Sequence, residues 1–368
     1  MHTFSKSIQR ELDDFFQRLD KSDFSIRKVT KGALTQARAK LKPEAFTILD
    51  KVTQENFYNG AAFYKWDKYK IKAVDGSTTV LPNHPSIVQE FGVHHFGPYA
   101  DSPRSVARIS LLYDPLNGII NDARIGGYET GEKELCNQHL EHVSQGDLVI
   151  FDRFYAGLDL MWNLHLKKVD FLFRMKETWW KVVRDFQQQD KDDQEIDLNC
   201  KDGKIRVRLI RVQLENEKTQ IFCTSVLDNK FSAQDFGDLY PGRWGIEEAY
   251  KTLKNWIELA NFSGKTALAV KQDFFSKIFL MNLCTAFAHP IADKIKKEKE
   301  DYQINRVQSI AMASTLPVSI FIKGKVRSAL IAFDQLISKT IDIIRPDRKF
   351  KRKKRIRQVK FSMNYKKL

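Results

Sequence analysis

The chain of 368 residues carries 61 Lys and Arg against 46 Asp and Glu, a formal net charge of +15; it is long enough for two to four structural units, and its basic excess favours a polyanionic partner. Four cysteines with no C-x-x-C spacing exclude a disulfide framework and a cysteine zinc site. The N-terminus MHTFSKSIQRELDDFFQ lacks a signal-peptide core, and the longest apolar run, IFLMNLCTAFAHPIA at 278–292, is too short to span a bilayer, so it reads as a buried helix of a cytoplasmic chain with no membrane contact.

Residues 5–60 show helical spacing in three short segments, and the middle one gathers Arg27, Lys28, Lys31, Arg38, Lys40 and Lys42 with almost no acids. From 66 onward, runs of strand length follow: YKIKAVDGSTTVL, SVARISLLYD, GIINDARIGGY, DLVIFDRFY and DFLFRMK. ETGEKELCNQHLEHVSQ separates the third from the fourth and AGLDLMWNLHLKKV the fourth from the fifth, both at helical spacing. Three strands, helix, strand, helix, strand is the pattern of a mixed α/β sheet covered on its faces. Residues 176–239 break the rhythm as a β-rich insertion with a turn at Lys201-Asp202-Gly203. Helical pattern resumes at Pro241 and continues with breaks to about 344. The tail from 345 holds twelve Lys and Arg against one Asp, a net +11 suited to phosphates.

The stretch YPGRWGIEEAYKTLK, at 240–254, places polar groups on one face. At 100° per residue from Tyr240, Arg243 falls near 300°, Glu247 near 340° and Lys254 near 320°, whereas Ile246, Ala249, Tyr250, Leu253 and Ile257 fall on the buried side, at roughly 180–280°. Arg243 and Glu247 alone would be an ordinary i, i+4 pair. Two further carboxylates change that reading: Asp75 follows the apolar run IKAV and Asp152 follows LVIF, each at the carboxyl end of a buried strand, where ligands of open α/β sheets bind. Three such carboxylates converging within a few ångströms suit two Mg²⁺ ions, with Mn²⁺ able to substitute, acting on a phosphodiester. His94-His95 and His139 with His142 are set aside as zinc ligands for want of a carboxylate or cysteine at ligand spacing. No G-x-x-x-x-G-K-[ST] loop occurs, so no nucleotide cofactor is expected.

Asp75 in VDGST, Asp152 in IFDRFY and Glu247 in the 240–254 stretch resemble the DDE triad of the insertion sequence four family of bacterial transposases, and Tyr240, Arg243, Glu247 and Lys254 match its Y-(2)-R-(3)-E-(6)-K signature over a similarity spanning about residues 30–290. The resemblance implies an RNase H-like mixed five-stranded sheet with flanking helices, interrupted by the β-rich insertion, between N-terminal and C-terminal helical regions. Domains follow as 1–62 (N-terminal helical DNA-binding region), 63–175 (catalytic core, first part), 176–239 (insertion), 240–290 (core, second part, with the Glu helix) and 291–368 (C-terminal helical region and basic tail). It further implies Mg²⁺-dependent cleavage at terminal inverted repeats of double-stranded DNA, joining of the 3′-OH ends to target DNA, a homodimer on DNA, and a bacterial, nucleoid-associated location. Tyr240, Arg243, Lys254, Arg104 and Arg108 are the expected DNA contacts. A relative stacks a flipped base on a tryptophan in the strand before the signature; here that run offers Gln220, leaving Trp179 or Trp180. The alternatives are an RNase H-like nuclease without strand transfer, or an inactive DNA-binding descendant.

Overall fold

A computed structural model describes residues 7–20, 27–95, 103–176, 178, 180–213, 219–316 and 318–345, the side chains of Val318 and Phe321 apart. Three helices open the chain, α1 (Ile8–Asp20), α2 (Lys31–Ala39) and α3 (Glu44–Gly60). Next come β1 (Lys70–Val80), α4 (Pro85–Phe91), β2 (Val106–Asp114), β3 (Ile119–Gly127), α5 (Glu132–Gln138), β4 (Asp147–Phe151), α6 (Leu158–Leu166) and β5 (Asp170–Arg174). The insertion holds α7 (Lys181–Gln187), β6 (Asp193–Cys200), β7 (Gly203–Gln213) and β8 (Thr219–Thr224). After it run α8 (Ala233–Leu239), α9 (Gly245–Lys251), α10 (Ala267–Glu298), β9 (Tyr302–Ile304), α11 (Arg306–Ala313), α12 (Val326–Lys339) and β10 (Ile341–Ile343). Two compact units share these elements: Met1–Ala61, Thr79–Ala107 and Thr252–Leu368 form one, Ala62–Thr78 and Arg108–Lys251 the other.

The second unit is built on the sheet, whose strand order is β3-β2-β1-β4-β5-β8-β7-β6. β1 runs parallel to β4 and β4 parallel to β5. Every residue of β4, DLVIF, is buried, as a strand covered on both faces requires. Alternation divides the two faces. Val149, Phe151, Phe171 and Phe173 pack with Met161 and Leu164 of α6, while Leu148, Ile150 and Leu172 point the other way, onto Phe236 and Leu239 of α8 and onto Tyr240.

The expected five core strands stand in the order β3-β2-β1-β4-β5, but the sheet has eight strands, because the insertion lengthens it. β8 pairs antiparallel with β5, closing an edge that would otherwise expose unpaired backbone groups, and β7 and β6 follow outward. Lys201 and Asp202 form the two-residue turn between β6 and β7, which meet at Cys200 and Gly203. Helix resumes earlier than Pro241: Ser232 caps α8 by a reciprocal bond pair with Asp235, an S-x-x-D capping box read past in the sequence.

The first unit is helical around α10. Residues 278–292 lie inside this helix, which by length and composition is long and apolar enough to cross a membrane, yet half of that window is buried within the protein. It also buries Gln272, Asp273, Asn282 and His289. Asn282 donates to Asp50 of α3 at 2.8 Å, and the His289 ring meets Phe57 edge-on at 4.9 Å. Arg38 of the basic helix α2 pairs with Asp273 at 3.0 Å and donates to Gln272, so one expected DNA-facing cation is spent on packing α2 against α10. Cys284, Ile291 and Ile295 continue the contact onto Ala313 of α11 and Phe333 and Ile337 of α12. The four cysteines are free.

Candidate active site

β1 does not end at Asp75; it runs on to Val80, and its pairing with β4 ends just before, at Ala73. The register sets Lys70 beside Asp147 and Ala73 beside Ile150, the last paired rung; Asp75 and Asp152 each follow two residues on, near enough that Asp152 helps to raise the Asp75 pKa. Asp152 leaves β4 as the cap of a 3₁₀ turn, Arg153–Tyr155, its carboxylate accepting from the Arg153 N–H. Both aspartates thus sit where a buried strand gives way to solvent.

The signature is not one α-helix. Tyr240–Trp244 is a 3₁₀ turn, Glu247 lies in the first turn of α9, and Lys254 lies in a π-helical turn, Thr252–Trp256, in which the Ile257 N–H donates to the Thr252 carbonyl at 3.1 Å. The 100° step therefore fails at both ends of the stretch. Tyr250, one turn after Glu247, donates its hydroxyl to the Asp75 backbone carbonyl at 2.8 Å. That bond ties the helix of Glu247 to the strand of Asp75. Gly245 allows the approach, since a Cβ there would lie 3.2 Å from Pro115.

Arg243 is buried and bridges two of the acids, 3.4 Å from Glu247 and 4.0 Å from Asp75, with its guanidinium 5.8 Å from the Tyr240 ring centre. Burial disfavours its charge, but Tyr240, Asp152 and Asp75 around it raise its pKa. Burial pushes the Asp75 carboxyl up to about 6; the Gly76 N–H and Arg243 pull it down, and Glu247 and Asp152 add to the rise. All three acids thus share one electrostatic field. Among the described residues, however, no three Asp, Glu, His or Cys side chains meet at a point where they could hold an ion. The expected bare acid cluster is instead two carboxylates bridged through a guanidinium, which lowers their mutual repulsion. The donor set itself, three carboxylates without sulfur or imidazole, fits a hard divalent cation.

A second set of residues braces Asp75 from below. His139 stands 2.7 Å from Asp122 through Nδ1 and 2.9 Å from Ser110 through Nε2. Burial, opposed by Asp122, lowers the His139 pKa, so the ring is neutral at pH 7, donating to Asp122 and accepting the Ser110 proton. Ser110 also stands 3.4 Å from the Asp75 carbonyl; with its proton on His139, Tyr250 is the working donor there. His139 and Ser110 are fully buried, so this Ser-His-Asp arrangement meets no substrate. His142 approaches the same Asp122 at 3.6 Å. The carboxylate partner missing from the sequence reading is therefore present, on β3, in a structural network.

The other candidates are dispersed. Arg108 pairs with Glu132 at 3.0 Å, over the Tyr128 ring, and Glu132 closes against Gly76, where a Cβ would lie 3.1 Å from its carboxyl carbon. Arg104 bridges to His94 through the backbone in the first unit. Burial lowers the Lys254 pKa. Trp180 packs partly buried on the core of the second unit, while Trp179 and the tail from 346 lie outside the described residues. Trp244, passed over in the sequence, is 53% exposed beside Arg243. The Tyr155 and Tyr240 hydroxyls are buried without a hydrogen-bond partner among the described residues.

Residues 66–283 match the family described as "Transposase DDE domain". The chain is 20% identical over 284 residues to "Transposase InsG for insertion sequence element IS4" of Escherichia coli (strain K12), an alignment covering 73% of this chain and 63% of that protein; the chain thus spans less than two thirds of its relative. Among solved structures it is similar to the "piggyBac transposase synaptic complex with hairpin DNA", with a TM-score of 0.44 and 11% identity, over 88% of this chain and 66% of that one.

Proposed function

The chain belongs to the transposase DDE domain family, and from that premise we propose that it is an insertion-sequence transposase of the IS4 type that binds terminal inverted repeats, cleaves DNA at the element's ends and joins the 3′-OH ends to target DNA. The reading is supported by Asp75 and Asp152 following two parallel, paired strands and by the helix of Glu247 being tied to the first of them through Tyr250. In this reading the three carboxylates hold two Mg²⁺ ions, for which Mn²⁺ can substitute. Those ions supply activation of the attacking oxygen and stabilisation of the leaving one.

The protein's own groups do the rest. Arg243 neutralises Asp75 and Glu247 in the free enzyme, and turning its guanidinium to a phosphate leaves both acids open to cations. Lys254 and Arg104 contact the DNA backbone, whereas Arg108 is held by Glu132 and the Tyr240 hydroxyl is buried. The N-terminal helices and the basic tail grip the repeats, and two chains pair on the DNA through their C-terminal helices, where Val326 and Ile331 are exposed. The setting is the bacterial cytoplasm, at the nucleoid.

The test is cleavage of a duplex bearing the element's end in Mg²⁺. Glu247→Ala is expected to bind that duplex normally and to cut it at no measurable rate; cutting by this variant would overturn the triad assignment. Pre-cut ends that are never joined to target DNA would identify a nuclease instead.

A further inference from the structure

We infer that a basic pocket at the C-terminal ends of β4 and β5 binds a DNA backbone phosphate beside the scissile one. The cavity measures about 200 Å³ and is lined by Arg153, Arg174, Lys176, Thr178, Thr219 and Gln220 together with two apolar residues. Among the described residues, three cations and no acid line it. The Arg153 and Arg174 guanidinium groups have no carboxylate partner among the described residues, although this unit pairs Arg108, Arg206 and Arg208 with acids. Two hydroxyls and an amide add hydrogen bonds that a phosphodiester oxygen accepts, and an arginine fork matches two such oxygens.

Register places the pocket. β4 and β5 pair as Leu148 with Asp170 through Phe151 with Phe173, so the next rung sets Arg174 beside Asp152. Asp75, Asp152 and Arg174 thus follow the paired rungs of three neighbouring parallel strands at the same end of the sheet. Burial raises the Tyr240 pKa, and of these residues Asp152 adds to the rise while Arg174 lowers it. A strand whose scissile phosphate lies over the aspartates runs directly onto Arg174. The pocket would fix where the strand lies and in which direction, a positioning task distinct from the chemistry at Asp75, Asp152 and Glu247.

That the anion is DNA rests on the transposase reading, so the test separates the two. Binding of an end duplex with a 3′ overhang is measured from 50 to 200 mM salt for the full chain, Arg153→Ala, Arg174→Gln and the double variant, with methylphosphonates placed singly around the scissile position. Each lost phosphate contact should flatten the log K against log salt slope by about 0.9 and weaken binding about five- to tenfold. One neutral linkage should cost the wild type the same factor and cost Arg174→Gln nothing. Arg153 is exposed, so its variant gives the salt readout without disturbing packing. Unchanged slopes, or equal losses at every linkage in wild type and variant, overturn the pocket. A chain that binds through the pocket but never joins ends sinks the transposase reading alone; a chain that binds no DNA sinks both.

Discussion

Asp75 is held at a pKa of about 6 against an ordinary 3.8, chiefly by burial. Between roughly pH 4 and 6 the folded state keeps a proton that the unfolded state has released, so stability falls as pH rises through that window and stays lost above it. Asp75→Asn removes the cost. The 4.0 Å contact with Arg243 that it also loses is long, and Glu247 remains to pair that guanidinium. Without divalent cations, the variant should melt higher than wild type at pH 7, by less than about 3 kcal/mol, and level with it near pH 4, while cleavage is abolished. A scanning calorimetry trace in which Asn melts no higher at pH 7 would show that burial does not strain this carboxyl. Tyr250→Phe acts on the same residue through its backbone. It deprives the Asp75 carbonyl of its 2.8 Å donor, at about 1–3 kcal/mol in urea unfolding, and should slow cleavage while leaving end binding intact; an unaltered cleavage rate would strip Tyr250 of its positioning role. The acids and Arg243 stood out in the sequence because each is marked locally, by the end of an apolar run or by an i, i+4 spacing. Tyr250 was read as core, and correctly so. Its hydroxyl's partner lies on a strand far away in sequence, which no local spacing reveals, and the same holds for His139 and Asp122.

At the level of elements, periodicity marked all five core strands, because each buries one face or both, and apolar spacing marked the three N-terminal helices, of which only α3 has buried residues. It could not show that the insertion joins the same sheet, since edge pairing is a backbone matter that leaves no trace in hydrophobic spacing. The consequence is that β6 and β7 must dock against α6. Gly203, where the two strands meet, lies so close that a Cβ would stand 2.5 Å from Trp162 Cη2. The Trp162 ring packs against the buried core and is no flexible tip. Gly203→Ala should therefore cost about 1–3 kcal/mol in chemical denaturation. A loss under about 0.5 kcal/mol would mean that the hairpin is free to move off α6. The π turn after α9 was equally hidden: its apolar residues keep nearly helical spacing while its hydrogen bonds lengthen to i→i+5.

Over the whole molecule, charge is distributed unevenly. The segment from 345 contributes a net +11 of the total +15, so the remaining 344 residues are only weakly basic, and several of their arginines are spent on internal pairs with Asp273, Glu132, Asp193 and Asp197. Two kinds of DNA contact follow from this division. A few unpaired cations placed by the sheet, Arg153 and Arg174 among them, can fix a strand at the site, each accounting for about one unit of salt dependence. The tail contributes affinity without register, because its charge is dense and its sequence has no periodicity. Truncation after residue 344 should therefore flatten the salt slope by several units, weaken binding to any duplex about equally, and leave the position of the cut unchanged. Affinity titrations on end and unrelated duplexes, with the cleavage products mapped on a gel, measure all three. If truncation shifted the cut or weakened only the end duplex, the tail would be reading sequence, and the division between affinity and register would fail.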